Sequence, residues 1–279
     1  MPQIPADTDR EPVVLLHCSA ADGGQWDGLA ARLGPRYRAH ALHQFNCGDG
    51  PRWHGRGPFT LDAEAAPVLD LIAGLDRPAH LVGHSYGGAV ALHAAQHLAQ
   101  HLAQHPARAR PGALASLTLI EPVAFHLLPG AGHGAHLATM QGVARAVGGA
   151  VLAGDLWGGM ATFVEFWNGP GAWDRTPDKV RAGLARRLPK VALDFHAVLA
   201  TRPEPAAVAA VAAPTLLLHG EASPGPTVAV IQVLAGLLPG ARVAAVAGAG
   251  HMAPFTHAGP VNDAVAGHVA AAAARRRAA

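Results

Sequence analysis

Six residues, Gly83-His84-Ser85-Tyr86-Gly87-Gly88, join a short apolar run, Ala79 to Val82, to a long alanine-rich stretch that continues to about His105. The short run reads as a buried strand and the stretch after it as a helix. The turn between them fits G-x-S-x-G at a strand-to-helix corner, where the serine side chain is forced outward on a strained backbone. Gly83 and Gly87 let that corner close without a Cβ clash. Behind the serine, the free N–H groups and positive dipole end of the helix point at any oxyanion that forms on it. Glycine-rich turns of this kind also bind phosphate. Here neither G-x-G-x-x-G nor a Gly-Lys-Ser/Thr sequence is present, so a nucleophilic serine is the reading to pursue.

The rest of the chain supplies the frame for such a corner. Val13 to Leu16, Tyr37 to His43, Leu114 to Ile120, Thr215 to Leu218 and Arg242 to Val246 read as further strands. Helical stretches lie between them: Trp26 to Leu33, a helix capped by Thr60 and running through Leu75, one around Val228 to Leu238, and a last one near Val261 to Ala274. This alternation predicts an α/β fold with a mostly parallel sheet and helices on both faces. From Pro122 to about Pro205 the strand signal disappears, and aromatic, helix-like pieces broken by Gly and Pro replace it. The expected organisation is one core made of residues 1–121 and 206–279, with residues 122–205 inserted as a helical unit.

Composition narrows the function classes. Of 279 residues half are hydrophobic and 14% are charged, which excludes a disordered chain. No apolar stretch is long enough to span a bilayer. The formal charge is only +2, and Arg275 to Arg277 form the one basic run, so no nucleic-acid partner is expected. The first ten residues show no charged segment followed by an apolar one, and a cytoplasmic location is expected. A homo-oligomer is neither required nor excluded. Two cysteines, Cys18 and Cys47, leave one disulfide open. Among 18 histidines, His93, His97, His101 and His105 recur at i, i+4, i+8 and i+12 as one helical stripe. No carboxylate or cysteine in the pattern completes a metal site, so an exposed duplication without metal is expected.

A serine hydroxyl needs an adjacent base. His251, in the loop Gly248-Ala249-Gly250-His251-Met252 after the last strand, is preferred to His257 at the approach to the last helix. The acid that orients the base must reach it from a strand end. Of the acidic residues between Ser85 and His251, only Glu121 and Glu221 terminate predicted strands; Glu121 is preferred and Glu221 is the alternative.

With these pieces placed, nearly the whole chain resembles the α/β-hydrolase fold superfamily. The resemblance is carried by Leu15-Leu16-His17-Cys18-Ser19 with Trp26 following, by the Ser85 turn, by Pro214 to Glu221, and by Gly250-His251-Met252. It implies a serine hydrolase with a helical cap inserted after the sixth strand. It also implies an oxyanion hole from the backbone N–H groups of Ser19 and Tyr86, although Cys18 stands where the family usually has Gly. The common family position for the acid is Ser223 here, and some branches carry the acid where Glu121 lies. Trp26, Phe125, Trp157, Phe163 and Trp167 are candidate substrate contacts, with Phe166, Trp173 and Phe195 also available. The expected reaction is hydrolysis of a small or medium apolar ester or related acyl compound through an acyl-enzyme, with a small molecule as partner and no metal or organic cofactor. C–C bond hydrolysis, perhydrolysis, acyl transfer and a non-catalytic receptor role are the alternatives.

Overall fold

In the computed structural model, which describes residues 10–104 and 113–278, six strands form a single sheet with every pairing parallel. In chain order β1 (Glu11–Leu16) leads to α1 (Asp27–Leu33), β2 (Tyr37–Leu42), α2 (Leu61–Gly74), β3 (Ala79–His84), α3 (Tyr86–Gln104) and β4 (Leu114–Ile120). A helical stretch follows: α4 (Gly134–Ala153), α5 (Leu156–Asn168), α6 (Ala172–Arg175), α7 (Asp178–Ala185), α8 (Leu188–Ala200) and α9 (Pro205–Ala209). The alternating pattern then resumes with β5 (Thr215–Gly220), α10 (Gly225–Leu237), β6 (Arg242–Val246), α11 (Ala253–Thr256) and α12 (Ala258–Ala278). The helical stretch comes after the fourth strand of the described sheet. Among the described residues β1 to β4 precede this insertion.

The strands explain their own composition. In β1, Val14 and Leu16 face one side of the sheet and join Leu81, Leu117, Leu119 and Leu217 in a core shared with α2 and α3. Val13 and Leu15 face the other side, where Val82, Ile120 and Leu218 meet Trp26 and Leu29 near α1 and Val261, Val265 and Val269 of α12. A strand buried on both faces has no polar side to show, hence the unbroken apolar runs. Each fully buried Val or Leu favours the folded state by about 1.5–3 kcal/mol over exposure. The edge strands β2 and β6 carry the polar and charged residues, Arg38, His40 and Arg242 among them. Thr60 caps α2 as expected, its Oγ1 accepting from the Ala63 N–H at 3.2 Å.

The strand order β2-β1-β3-β4-β5-β6 reverses direction between β1 and β3, and ligands of open parallel sheets bind at the carboxyl ends of the strands beside such a reversal. Ser19, Ser85, Glu121, Ser223 and His251 all follow strands at that end of the sheet. Cys18 and Cys47 are buried and free, so the disulfide left open by the sequence is not formed. No described helix is long and apolar enough to cross a membrane.

Candidate active site

The corner after β3 needs its glycines. A Cβ on Gly83 would lie 2.2 Å from the Gly87 carbonyl oxygen, and one on Gly87 would lie 2.4 Å from the carbonyl oxygens of Leu16 and His17. Such closeness lets α3 start immediately beside β1. Ser85 sits between them at φ 56°, in the left-handed region that a side chain disfavours. Glu121 at φ 43° and Ala20 at φ 58° share this strain, and all three flank one site. Strained non-glycine residues persist where the surrounding structure over-determines them.

His251 Nε2 lies 2.9 Å from Ser85 Oγ, and His251 Nδ1 lies 2.7 Å from Glu121 Oε2. The other carboxylate oxygen, Oε1, accepts the Gly220 N–H at 2.8 Å and the Ser223 hydroxyl. Burial opposes ionisation of Glu121, but His251 and these two donors outweigh it and hold the carboxyl down at about 2. Ser223, at the position where the family usually has its acid, thus donates to Glu121 on the neighbouring strand. Glu221 is exposed and accepts the Gly248 N–H at 3.1 Å. It braces the loop before His251 rather than meeting the imidazole. His257 bonds Thr256 at the surface.

The side chains of Ser19 and Tyr86, the two residues expected to supply oxyanion donors, are tied into a buried charge network. Ser19 Oγ donates to Asp194 Oδ2 at 2.7 Å, and the Tyr86 hydroxyl donates to Glu64 Oε2 at 3.1 Å. Lys190 joins these two carboxylates, donating to Glu64 Oε2 at 3.0 Å and to Asp194 Oδ1. One ammonium between two carboxylates leaves an excess negative charge. Burial accordingly pushes the Asp194 carboxyl up to about 6 despite the pull of Lys190. For Lys190 burial works against the charge, and the two carboxylates overcome it. A second chain of bonds runs beneath His251. Burial pushes His84 down to about 3, so it is neutral. Its Nε2–H donates to the His251 carbonyl at 2.9 Å, and its Nδ1 accepts from Gln25 Nε2 at 3.2 Å. Gln25 Oε1 in turn accepts the Cys18 N–H at 3.0 Å, which links the loop of Ser19 to the loop of His251. The Cys18 thiol is pushed by burial up to about 12, so it stays protonated as a packing group.

A family model described as the alpha/beta hydrolase fold matches residues 11–258. The chain belongs to the α/β-hydrolase family. One segment is 38% identical over 112 residues to the pimeloyl-[acyl-carrier protein] methyl ester esterase of Methylococcus capsulatus, covering 39% of this chain and 35% of that protein. A match of 33% identity over 111 residues to lipase LipV of Mycobacterium tuberculosis covers 39% and 36% of the two chains. The chain thus spans about a third of the length of these relatives. Among solved structures, a hydrolase from Pseudomonas aeruginosa superposes with a TM-score of 0.72 at 23% identity, covering 96% of this chain and 92% of that one. An alpha/beta hydrolase enzyme from a Medee basin deep-sea metagenome library gives 0.74 at 14% identity, covering 95% and 90%. At such identities these two establish the fold.

In this α/β-hydrolase a cavity of about 680 Å³ opens above Ser85 and His251. Its apolar wall is the stripe Met160, Phe163, Val164 and Trp167 of α5, at the spacing of one helical face. The Trp167 ring stacks on His251, with centroids 3.9 Å apart and planes 23° apart. A much smaller space of about 20 Å³ continues past Ser85 between Tyr86, Val123, Phe125, Phe195 and Val198. Phe125, Phe163 and Trp167 therefore meet the cavities. Trp26 and Trp157 do not, and both are corrected. Trp26 ends the 3₁₀ turn Gly23–Trp26 and is buried behind the sheet against the α1 and α12 side. Trp157 lies a turn before Met160, where α5 has already left the cavity; it is 44% exposed and packs edge-on against Trp173 and under Arg181. Glu64, Lys190 and Asp194 were not singled out as site residues from the sequence. The one available signal was Lys190, one of two lysines, at i,i+4 from an aspartate within an apolar helix.

Proposed function

We propose that this α/β-hydrolase is a serine ester hydrolase in which Ser85 is the nucleophile, His251 the general base and acid, and Glu121 the acid that orients it. The continuous line of bonds from Ser85 Oγ through both nitrogens of His251 to Glu121 supports this reading above all else. Ser85 Oγ attacks the ester carbonyl carbon as its proton passes to His251 Nε2. The carbonyl oxygen takes up the negative charge, and the backbone N–H groups of Ser19 and Tyr86 receive it. His251 then returns the proton to the departing alkoxide, leaving an acyl group on Ser85. Water, deprotonated by His251, attacks that acyl carbon, and the acid is released as Ser85 regains its proton. Positioned proton transfer contributes about 10²–10⁴-fold, and each oxyanion donor about 10²–10³-fold. No step calls for a cofactor.

Residues 122–205 act in this reading as a cap on the core of residues 1–121 and 206–279, with α5 and α8 supplying the roof. The two unequal spaces favour an ester with one short arm, in the 20 Å³ space, and one longer apolar arm in the larger cavity. The match to a protein named as a methyl ester esterase agrees with that asymmetry. A series of p-nitrophenyl and methyl esters of increasing acyl length, assayed with the wild type and Ser85→Ala, tests the proposal. Turnover should peak at short to medium chains and vanish in the variant; turnover that survives Ser85→Ala removes it.

A further inference from the structure

The histidine stripe on α3 has a partner that lies outside the stripe. Asp62, in the first turn of α2, places Oδ1 2.8 Å from His93 Nε2 and 2.9 Å from His97 Nε2. The two imidazole nitrogens are 3.2 Å from each other. We propose that Asp62, His93 and His97 form a binding site for one divalent transition metal ion of the zinc class, which clamps α2 to α3. Three ligand atoms from three side chains converge on one point, and they form the one His/Cys/Asp/Glu group of this kind among the described residues. Two histidines at i,i+4 present their nitrogens on one helix face, the spacing that helical zinc sites use. A tetrahedral ion with bonds of about 2.0–2.1 Å sets its ligand atoms roughly 3.4 Å apart. The observed triangle needs its edges to open by about 0.2–0.6 Å to accept one. Asp62, with its side chain 68% exposed, is free to make that move, while His93 at 15% is held by its surroundings.

The donor set fixes the class of ion. Two neutral imidazoles and one carboxylate suit zinc, cobalt, nickel or copper, whereas calcium and magnesium prefer oxygen alone. The remaining coordination position faces a groove of about 330 Å³ between α2, α3 and α8, lined also by Gln96, Gln100 and Glu204, so water or an exogenous anion can complete it. His93 lies just over two turns, about 12 Å, along α3 from the Ser85 corner. An ion there is a staple on the helix that carries the nucleophile and takes no part in the ester reaction. His105, the last member of the stripe, lies outside the described residues; His101 continues the stripe but is not part of the converging group.

The test uses full-length protein without a polyhistidine tag, stripped with chelator. Titration calorimetry with zinc chloride should give one saturable equivalent. A zinc concentration a hundredfold above the dissociation constant should raise Tm by about 5 °C. His97→Gln and Asp62→Asn should each weaken zinc binding at least tenfold, while His133→Gln, in the separate surface pair His133 and His136, should leave it unchanged. Cobalt, in the same experiment, should give the visible bands of a tetrahedral ion in the wild type and lose them in His97→Gln. These variants alter exposed or half-buried side chains, and circular dichroism of the metal-free proteins checks that they fold. Absence of a saturable zinc equivalent in the wild type overturns the proposal, as does binding that survives His97→Gln or is lost in His133→Gln.

Discussion

Replacing Glu121 by glutamine probes the role assigned to it with almost no change of volume. In the wild type the two carboxylate oxygens have different tasks. Oε1 accepts from the Gly220 N–H and the Ser223 hydroxyl, and Oε2 faces His251 Nδ1. An amide offers one acceptor oxygen and one donor NH₂. In Glu121→Gln the two donors compel the amide oxygen to occupy the Oε1 position, which turns the NH₂ toward His251. Nδ1 must then present a lone pair, so the imidazole proton moves to Nε2, where it donates to Ser85 Oγ instead of accepting its proton. The base is held in the wrong tautomer. Depression of the Glu121 carboxyl from an ordinary 4.5 to about 2 corresponds to about 3 kcal/mol of preference for the ionised form. Loss of that charge beside the transient imidazolium, together with the wrong tautomer, should lower kcat about 10³–10⁴-fold, or roughly 4–5.5 kcal/mol of barrier. The assay is steady-state hydrolysis of a short-chain p-nitrophenyl ester, with KM expected within about threefold of wild type because the cavity is untouched. Glu221→Gln, altering only the brace on Gly248, should retain activity within about threefold. A kcat within tenfold of wild type in Glu121→Gln, or a collapse confined to Glu221→Gln, refutes the reasoning.

Lys190→Met leaves Glu64 and Asp194 buried without their shared cation, and removal of one member of a buried ion network costs about 3–5 kcal/mol. Thermal melts should show Tm falling by about 5–9 °C, whereas Asp194→Asn, which relieves the excess negative charge, should melt within about 3 °C of wild type; equal losses refute the network as drawn. Acid should destabilise the fold steeply, because burial depresses His17 to about 4, His84 to about 3 and His126 to about 4. Their folded values lie below the unfolded 6.5, so the stability they contribute is present above pH 6.5 and is lost as pH falls, by up to about 2 kcal/mol each at pH 5. Urea midpoints at pH 7.5 and pH 5 measure this, and equal midpoints contradict it. Glu121 adds a later loss of the same sign, between pH 4.5 and about 2, which Glu121→Gln should abolish. Trp167→Ala removes the ring stacked on His251 and should reduce kcat/KM by more than tenfold while leaving Tm within a few degrees; unchanged kinetics would show that the stacking does not position the base.

The parts of the fold legible in the sequence are those set by local pattern. Strands buried on both faces read as continuous apolar runs, and the glycines around Ser85 are dictated by backbone approaches of 2.2–2.4 Å. His251 and Glu121 are legible as candidates from their positions after strands, and the structure brings them within hydrogen-bond distance at one end of the sheet. What local pattern does not encode is contact between distant elements. Lys190 meets Glu64 across 126 positions, and nothing in the local sequence of either points to the other. Asp62 sits 31 positions before His93, so a stripe read along α3 alone lacks its carboxylate. Trp157 and Trp167 belong to the same helix, but periodicity does not tell where that helix leaves the cavity. Trp26 enters α1 through a 3₁₀ turn that swings it behind the sheet.

The central claim is that Ser85 carries the acyl group, and covalent capture tests it most directly. Wild-type protein incubated with a fluorophosphonate should gain one adduct mass, lose esterase activity in parallel, and yield the adduct on the peptide containing Ser85 by tandem mass spectrometry. Ser85→Ala should take no label. An active enzyme that remains unlabelled at Ser85, or that is labelled there and keeps its activity, contradicts the account.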